Sequence, residues 1–314
     1  MATKRASKEA TFEIILPSKR RKPNVQIPTV QLTNGVMQPM DIPQLGLGTY
    51  RLKKAAVKAP LRLALECGYT MLDTASVYDN EKEIGQTLQT NVFITTKLWR
   101  SHQSECPKTI EKHLKASISK LGHVDLWLLH WPGPGYHRFK KYQVPKDWTP
   151  TTRIATWNAM TTLLTQTHVR AIGVSNFSIR QLQHLATHTS IRPSVNQIEM
   201  HPFLIQKELR AYCAQQDIRI MAYCSLGSGD PKLLNHPVVV RVANEVNKSV
   251  SQVLLRWAVQ HGVIVIPCST VREHLVENRG VWGWELSEVQ MEALDGLDCG
   301  KRYAWKGVDP DSVP

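Results

Sequence analysis

Four side chains suited to proton transfer stand at or just beyond the ends of three apolar runs. In LDTASVYDNE, Asp73 closes the first run and Tyr78 follows it; in VFITTKLW, Lys97 stands near the end of the second; in VDLWLLHW, His130 stands near the end of the third. An unperturbed phenol has a pKa of about 10, too high for efficient proton donation at neutral pH. A nearby ammonium favours the phenolate and lowers that value, and a carboxylate paired with the ammonium holds it in place. An imidazole across the cavity can orient a carbonyl oxygen or relay its proton. The set suits protonation of an oxygen while hydride arrives at the carbon that bears it. A single polar residue at a strand exit is ordinarily surface or packing; Asp, Lys and His at three successive exits favour chemistry.

The elements that must position these residues read as an alternation. Strand candidates are LGLGT (45–49), YTMLDTA (69–75), VFITTKL (92–98), VDLWLLHW (124–131), VRAIGVSN (169–176), SVNQIEM (194–200), RIMAYCSL (219–226) and VIVIPCS (263–269). Most are apolar along their length, as strands covered on both faces should be. Amphipathic stretches such as TIEKHLKASISKLG and SQVLLRWAVQHG separate them. Eight such units over roughly 250 residues are the arithmetic of an α/β fold of the (β/α)8 TIM-barrel type. A doubly wound sheet would carry GxGxxG after its first strand; Gly46-Leu47-Gly48 is only a fragment of it. Before the barrel, VQIPTVQL, TNG and VMQPM predict an N-terminal β-hairpin turning at Asn34-Gly35. The expected organisation is a basic flexible tail over residues 1–24, then one barrel domain over 25–314 that includes a C-terminal loop, 300–314. Residues 132–152 form a long Pro/Gly/basic loop after the fourth strand, carrying Arg138, Lys140 and Lys141.

Composition narrows the function classes. No apolar run approaches the ~20 residues of a membrane helix, so no membrane partner is expected. The N-terminus lacks the apolar core of a secretion signal. Six cysteines without a CxxC pair fit free thiols in a reducing compartment, which points to the cytoplasm. The formal charge is +13, and the first 30 residues carry seven basic side chains against two acidic ones. SKRRKP offers nuclear access, but no basic stripe interleaved with aromatics follows, so nucleic acid is not the expected partner. His184 and His188 lack the glutamate of HExxH, and no GxSxG elbow is present; neither a metal site nor a hydrolase is indicated.

The matching stretches LGLGT, LDTASVYDNE, ITTKLW, DLWLLHWP, VRAIGVSNF, VNQIEMHP, AYCSLGS and ELSEVQMEALDGL, in this order, resemble the aldo-keto reductases. The resemblance spans Val25 to Tyr303. It implies an oxidoreductase that reduces small-molecule aldehydes or ketones, with Tyr78 as general acid, Lys97 and Asp73 tuning it, and His130 orienting the carbonyl. It implies a nicotinamide cofactor, normally NADPH, bound across the barrel mouth. Carried over by position, Ser175, Asn176 and Gln197 would hold the carboxamide and Tyr223 would stack on the ring. Leu226 and Ser228 would line the pyrophosphate path, with Asp230 closing it. Ser269, Thr270, Glu277 and Asn278 would meet the adenosine end, and Arg272 lies close enough in sequence to replace a missing cation there. Tyr50, Trp99, Trp131 and Trp305, with Tyr303 beside them, would form an aromatic substrate pocket. The resembling protein is expected to act as a monomer.

Two departures bear on this expectation. Cys268 and His274 stand where the family's NADPH pattern has cations, which leaves NADH use open. The connection from Glu81 to Lys97 is roughly ten residues shorter than the family's, which could loosen Lys97. A second reading stands beside the enzyme: a catalytically weak, cofactor-binding regulatory or structural protein on the same barrel.

Overall fold

The computed structural model describes residues 26–88, 92–133, 148–305 and 308–314. The expected tail over 1–24 and the loop cations Arg138, Lys140 and Lys141 lie outside the described residues.

A hairpin opens the chain. Strands β1 (Thr29–Leu32) and β2 (Met40–Pro43) pair antiparallel, with Thr29 opposite Pro43 and Leu32 opposite Met40. Eight parallel strands follow: β3 (Leu47–Gly48), β4 (Met71–Asp73), β5 (Phe93–Leu98), β6 (Leu126–Leu129), β7 (Ala171–Ser175), β8 (Val195–Glu199), β9 (Arg219–Tyr223) and β10 (Ile264–Val265). Each neighbours the next in chain order. The sheet closes on itself: Leu45 bridges Val265 in parallel, and the Gly46 and Gly48 amides donate to the Val265 and Pro267 carbonyls at 2.9 and 3.0 Å. This is the (β/α)8 barrel expected from the sequence, and every anticipated strand lies inside its predicted window.

The helices are α1 (Lys58–Glu66), α2 (Glu81–Thr87), α3 (Pro107–Leu121), α4 (Pro150–Gln166), α5 (Ile179–His188), α6 (Lys207–Gln215), α7 (Pro231–Leu234), α8 (Pro237–Glu245), α9 (Val250–Gln260), α10 (Arg272–Arg279) and α11 (Glu288–Asp295). Local chemistry fixes several starts. Ser178, Ser249 and Ser287 cap α5, α9 and α11, each exchanging hydrogen bonds with a glutamine three residues on. Proline opens α3, α4, α7 and α8, where its missing N–H costs nothing. Two apolar layers result. One fills the barrel lumen with Met71, Leu126, Leu128, Val195, Met221 and Ile264, closed below by Leu32 and Ile42 of the hairpin. The other packs the outer sheet face against the helices.

Two expectations change. The hairpin exists, but Asn34-Gly35 is not a tight turn, because β2 begins only at Met40. Asn34 instead donates to the carbonyls of Gln216 and Asp217, at 3.0 and 2.9 Å. Gly35 lies against the backbone of Ile172 and Ser194. The short connection before Lys97 does not loosen it. Helix α2 is only seven residues long, but Gly85 lets it lie directly on α3, since a Cβ there would meet the Lys120 carbonyl oxygen at 2.0 Å. Strand β5 keeps its register on both sides, with Thr95 beside Asp73 and Lys97 beside Leu128.

Candidate active site

Strand ends bring the four acid–base residues together at the C-terminal mouth of the barrel. Asp73 ends β4, Lys97 is the penultimate residue of β5, and His130 follows β6. Lys97 is buried, and its Nζ donates to Asp73 Oδ1 at 2.6 Å and to the Thr74 carbonyl at 2.7 Å. Gln197, on β8, donates to Asp73 Oδ2 at 2.7 Å. Burial pushes the Asp73 carboxyl up, opposed by Lys97 and Gln197; burial pulls the Lys97 ammonium down, opposed by Asp73. Tyr78 lies in a short 3-10 turn, Ser76–Tyr78, with its ring centroid 5.1 Å from Lys97 Nζ. The His130 ring meets Tyr78 edge-on, centroids 5.9 Å apart. A carboxylate, an ammonium, a phenol and an imidazole thus form one contiguous group.

The loop that carries Tyr78 is held by residues whose importance the sequence did not disclose. Asn80 reads there as a helix start, yet its buried side chain makes no capping bond. It donates to the Leu52 and Thr49 carbonyls at 2.8 and 3.2 Å and accepts from Thr74 Oγ1 at 2.6 Å. Ser76 Oγ donates to the Lys97 carbonyl at 2.9 Å. Buried Glu81 accepts from Thr96 Oγ1 at 2.7 Å and pairs with Lys120 at 3.3 Å, which ties α2 to both β5 and α3.

Across the mouth, a second polar set surrounds Tyr223. Asn176, in a left-handed conformation with φ of 65°, donates to the His130 carbonyl and to Ser175 Oγ, both at 3.0 Å. Ser175 Oγ donates to the Gln197 carbonyl at 2.9 Å. The Tyr223 hydroxyl donates to Asn176 Oδ1 at 2.6 Å and accepts from Trp305 Nε1 at 3.1 Å. Burial of this hydroxyl, reinforced by the charge of Glu199, raises its pKa well above that of free tyrosine. Tyr223 is therefore a poor proton donor.

The remaining predicted residues fall in two groups. In the loop after β9, Leu226 packs against the core and Ser228 Oγ meets Cys224 Sγ at 2.9 Å. Asp230 caps α7 through the Lys232 amide at 2.7 Å and accepts from Lys301 Nζ at 3.1 Å. These bonds hold its carboxyl below the usual range, the Lys232 amide contributing most. Ser269 and Thr270 precede α10, and Ser269 Oγ accepts from the Val271 amide at 3.1 Å. Asn278 is buried, Glu277 is partly buried, and His274 is exposed. Arg272, expected to replace a missing cation, instead pairs with Glu66 on α1.

The four expected pocket aromatics gather around the acid–base group. Tyr50 lies 5.2 Å from Tyr78 and Trp99 5.1 Å from His130, centroid to centroid. Trp305 lies 4.3 Å from Trp131 and 6.0 Å from His130. Tyr303 packs elsewhere, against Gly227 and His201. A separate cavity of about 480 Å3 opens beside Asn176, lined by Arg180, Glu199, Gln206, Arg302 and Asp309 among others; Tyr78, Lys97 and His130 are not part of its lining.

Comparison with known proteins decides the family. The model of the aldo/keto reductase family matches residues 44–298. The chain belongs to the aldo/keto reductase family. It is 38% identical over 279 residues to the 9,11-endoperoxide prostaglandin H2 reductase of Trypanosoma cruzi (strain CL Brener), covering 86% of this chain and 92% of the relative. It is 37% identical over 294 residues to the glyoxal reductase of Bacillus subtilis (strain 168), covering 91% and 97%. A crystallised aldo-keto reductase complexed with NADPH superposes with a TM-score of 0.78 at 30% identity, covering 89% of this chain and 90% of that one.

For an aldo/keto reductase, the donor set can be tested against a nicotinamide nucleotide. The ring end fits: a partly exposed Tyr223 ring flanked by one hydroxyl and two amides, from Ser175, Asn176 and Gln197, suits a flat heterocycle bearing a carboxamide. The phosphate end offers hydroxyls before the N-terminus of α10. It offers no cation at position 268 or 274, and Arg272 is engaged by Glu66. Among the described residues, no three His, Cys, Asp or Glu side chains gather as a metal site, and no helix is long and apolar enough to cross a membrane.

Proposed function

We propose that this aldo/keto reductase converts aldehydes or ketones to alcohols, with Tyr78 as the general acid. A nicotinamide nucleotide, when bound, supplies the hydride. The Tyr223 ring with Ser175, Asn176 and Gln197 holds the nicotinamide end, and the 224–230 loop with the start of α10 holds the phosphates. His130 orients the carbonyl oxygen toward Tyr78. As the carbon accepts hydride, the Tyr78 O–H bond breaks and the oxygen takes the proton. The Lys97 ammonium stabilises the phenolate left behind, and Asp73 fixes that ammonium.

The observation that carries this reading is the buried Asp73–Lys97 pair under the Tyr78 ring, 2.6 Å between the charges and 5.1 Å from ammonium to ring centroid. The reductase names of the relatives support carbonyl reduction. The tryptophan walls favour substrates with aromatic or extended apolar groups. NADPH is the proposed cofactor, by the likeness to the NADPH complex, with a preference over NADH weakened by Cys268 and His274.

The test is cofactor oxidation with a panel of aldehydes, for wild type and Tyr78→Phe, using both nucleotides. Tyr78→Phe should lose roughly 10²–10⁴-fold in kcat, the usual worth of a general acid, while its Kd for NADPH stays unchanged. The NADPH preference should stay within about fivefold, since a partly exposed charge pair contributes only about 0.2–1 kcal/mol and tenfold needs about 1.4. Tight NADPH binding by wild type without turnover of any carbonyl would instead favour the cofactor-binding regulatory reading.

A further inference from the structure

Glu199 ends β8 two residues after Gln197, so strand alternation turns both side chains toward the barrel interior. Gln197 reaches Asp73, whereas Glu199, one step nearer the rim, reaches the C-terminal segment. Its carboxylate is buried and accepts from the Tyr303 amide at 2.6 Å and the Ala304 amide at 3.1 Å. The buried His201 ring contacts the same carboxylate at 3.0 Å through Nε2. Three N–H groups converging on a carboxylate form a strong hydrogen-bonded clamp. They also occupy the oxygens that a proton-transfer role would need.

The residue after this clamp is Trp305, with φ of 55°, a left-handed backbone that is an outlier for a bulky side chain. Contacts on every side hold it there. Its indole donates to Tyr223, lies against Trp131, stacks at 6.1 Å on Trp99, and has the Arg100 guanidinium 5.7 Å from its ring. Trp305 therefore stands where the Tyr223 set meets the His130 side of the mouth. A wall at that place must be fixed to about half an ångström to discriminate between substrates, and Glu199 takes the two backbone amides that lead to it.

We propose that Glu199 is a positioning residue that holds Trp305 as the selective wall for the apolar substituent of the carbonyl substrate. The proposal rests on the reductase reading for its substrate class, but the clamp itself can be measured without turnover. Asp230 and Lys301 tie the same segment to the loop after β9, so loss of Glu199 frees the 303–305 stretch locally rather than the whole tail.

The test compares full-length wild type, Glu199→Gln, Trp305→Ala and the double variant. In Glu199→Gln an amide N–H replaces one acceptor, and hydrogen exchange at the Tyr303 and Ala304 amides should accelerate by about tenfold or more. Trp305→Ala, which keeps the carboxylate, should accelerate it less. With benzaldehyde, both single variants should raise Km roughly tenfold, the scale of a lost aromatic contact, with the smaller change in kcat. With propanal, which does not reach the wall, the effect should be smaller. The double variant should be no worse than Trp305→Ala.

Unchanged exchange in Glu199→Gln, fully additive Km effects, or equal losses with both aldehydes would overturn the proposal. If wild type turns over no carbonyl, the reductase reading falls, while tryptophan quenching by benzaldehyde on the NADP-saturated protein still reads the wall. Absence of benzaldehyde binding there would overturn both. Ala304→Pro deletes one N–H donor from the segment side, and it should reproduce the Km effect if Glu199→Gln does not fold.

Discussion

At the level of single side chains, a carboxylate and an ammonium taken out of water each lose several kcal/mol of hydration. Their attraction recovers this only where the remaining donors and acceptors are matched. Asp73 and Lys97 come close: both carboxylate oxygens and Nζ have partners at 2.6–2.7 Å. Burial nonetheless raises the first and lowers the second, so each charged form is held against its own hydration cost. A buried pair of this kind adds little net stability. Lys97→Met should cost about 3–5 kcal/mol, because it strands a buried carboxylate. Asp73→Asn combined with Lys97→Met should recover most of that loss in urea unfolding, because no uncompensated charge remains. The double variant should still lack reductase activity. A double variant as unstable as Lys97→Met alone would contradict this account.

At the level of elements, the strand that carries Lys97 continues into a 3-10 turn, Arg100–His102, which docks on α3 by ring stacking. The His102 and His113 rings lie 3.6 Å apart at 7°. Burial, then the charges of His113 and Lys120, pull His102 down to about 4. Burial and the charges of Lys112 and Lys120 lower His113 too. The folded state thus binds these protons less readily than the unfolded chain, whose histidines titrate at about 6.5. Stability should be fully present above that value and fall as pH drops from about 6.5 toward 4. His102→Gln should flatten this slope in denaturant titrations across the window; an unchanged slope would assign the acid sensitivity elsewhere.

The same region shows what a sequence can disclose. The strands were legible because segments buried on both faces are apolar without interruption, and Asp73, Lys97 and His130 stood out as the polar exceptions at their ends. Asn80, Glu81 and Glu199 did not stand out, because their meaning lies in partners such as Leu52, Thr96 and Tyr303, which chain spacing does not reveal. The stacked His102–His113 pair carries no motif at all. Asn34-Gly35 misled for a related reason: the dipeptide that favours a tight turn also suits a close backbone approach made by tertiary packing.

At the level of the whole molecule, that close approach separates stability from chemistry. Gly35 has φ of 59°, and a Cβ added to it would lie 2.4 Å from the Ile172 carbonyl oxygen and 2.7 Å from the Ser194 nitrogen, both rigid backbone. Its own carbonyl accepts from the Ile172 amide at 2.7 Å, and Val36 bridges Ala171. These contacts seal the N-terminal ends of β7 and β8, while Ser175 and Gln197 stand toward the C-terminal ends of the same strands. Barrel enzymes keep those two faces distinct, the bottom for stability and the top for catalysis. Gly35→Ala must either force a left-handed alanine into contact with backbone or lift the loop off the barrel floor. It should cost about 1–3 kcal/mol in urea unfolding. Because β7 and β8 pair with each other at their C-terminal ends and with β6 and β9 on their other sides, the mouth should keep its geometry, and kcat and Km per folded molecule should match wild type. Equal losses of stability and of kcat would show instead that the floor and the mouth of this barrel move together.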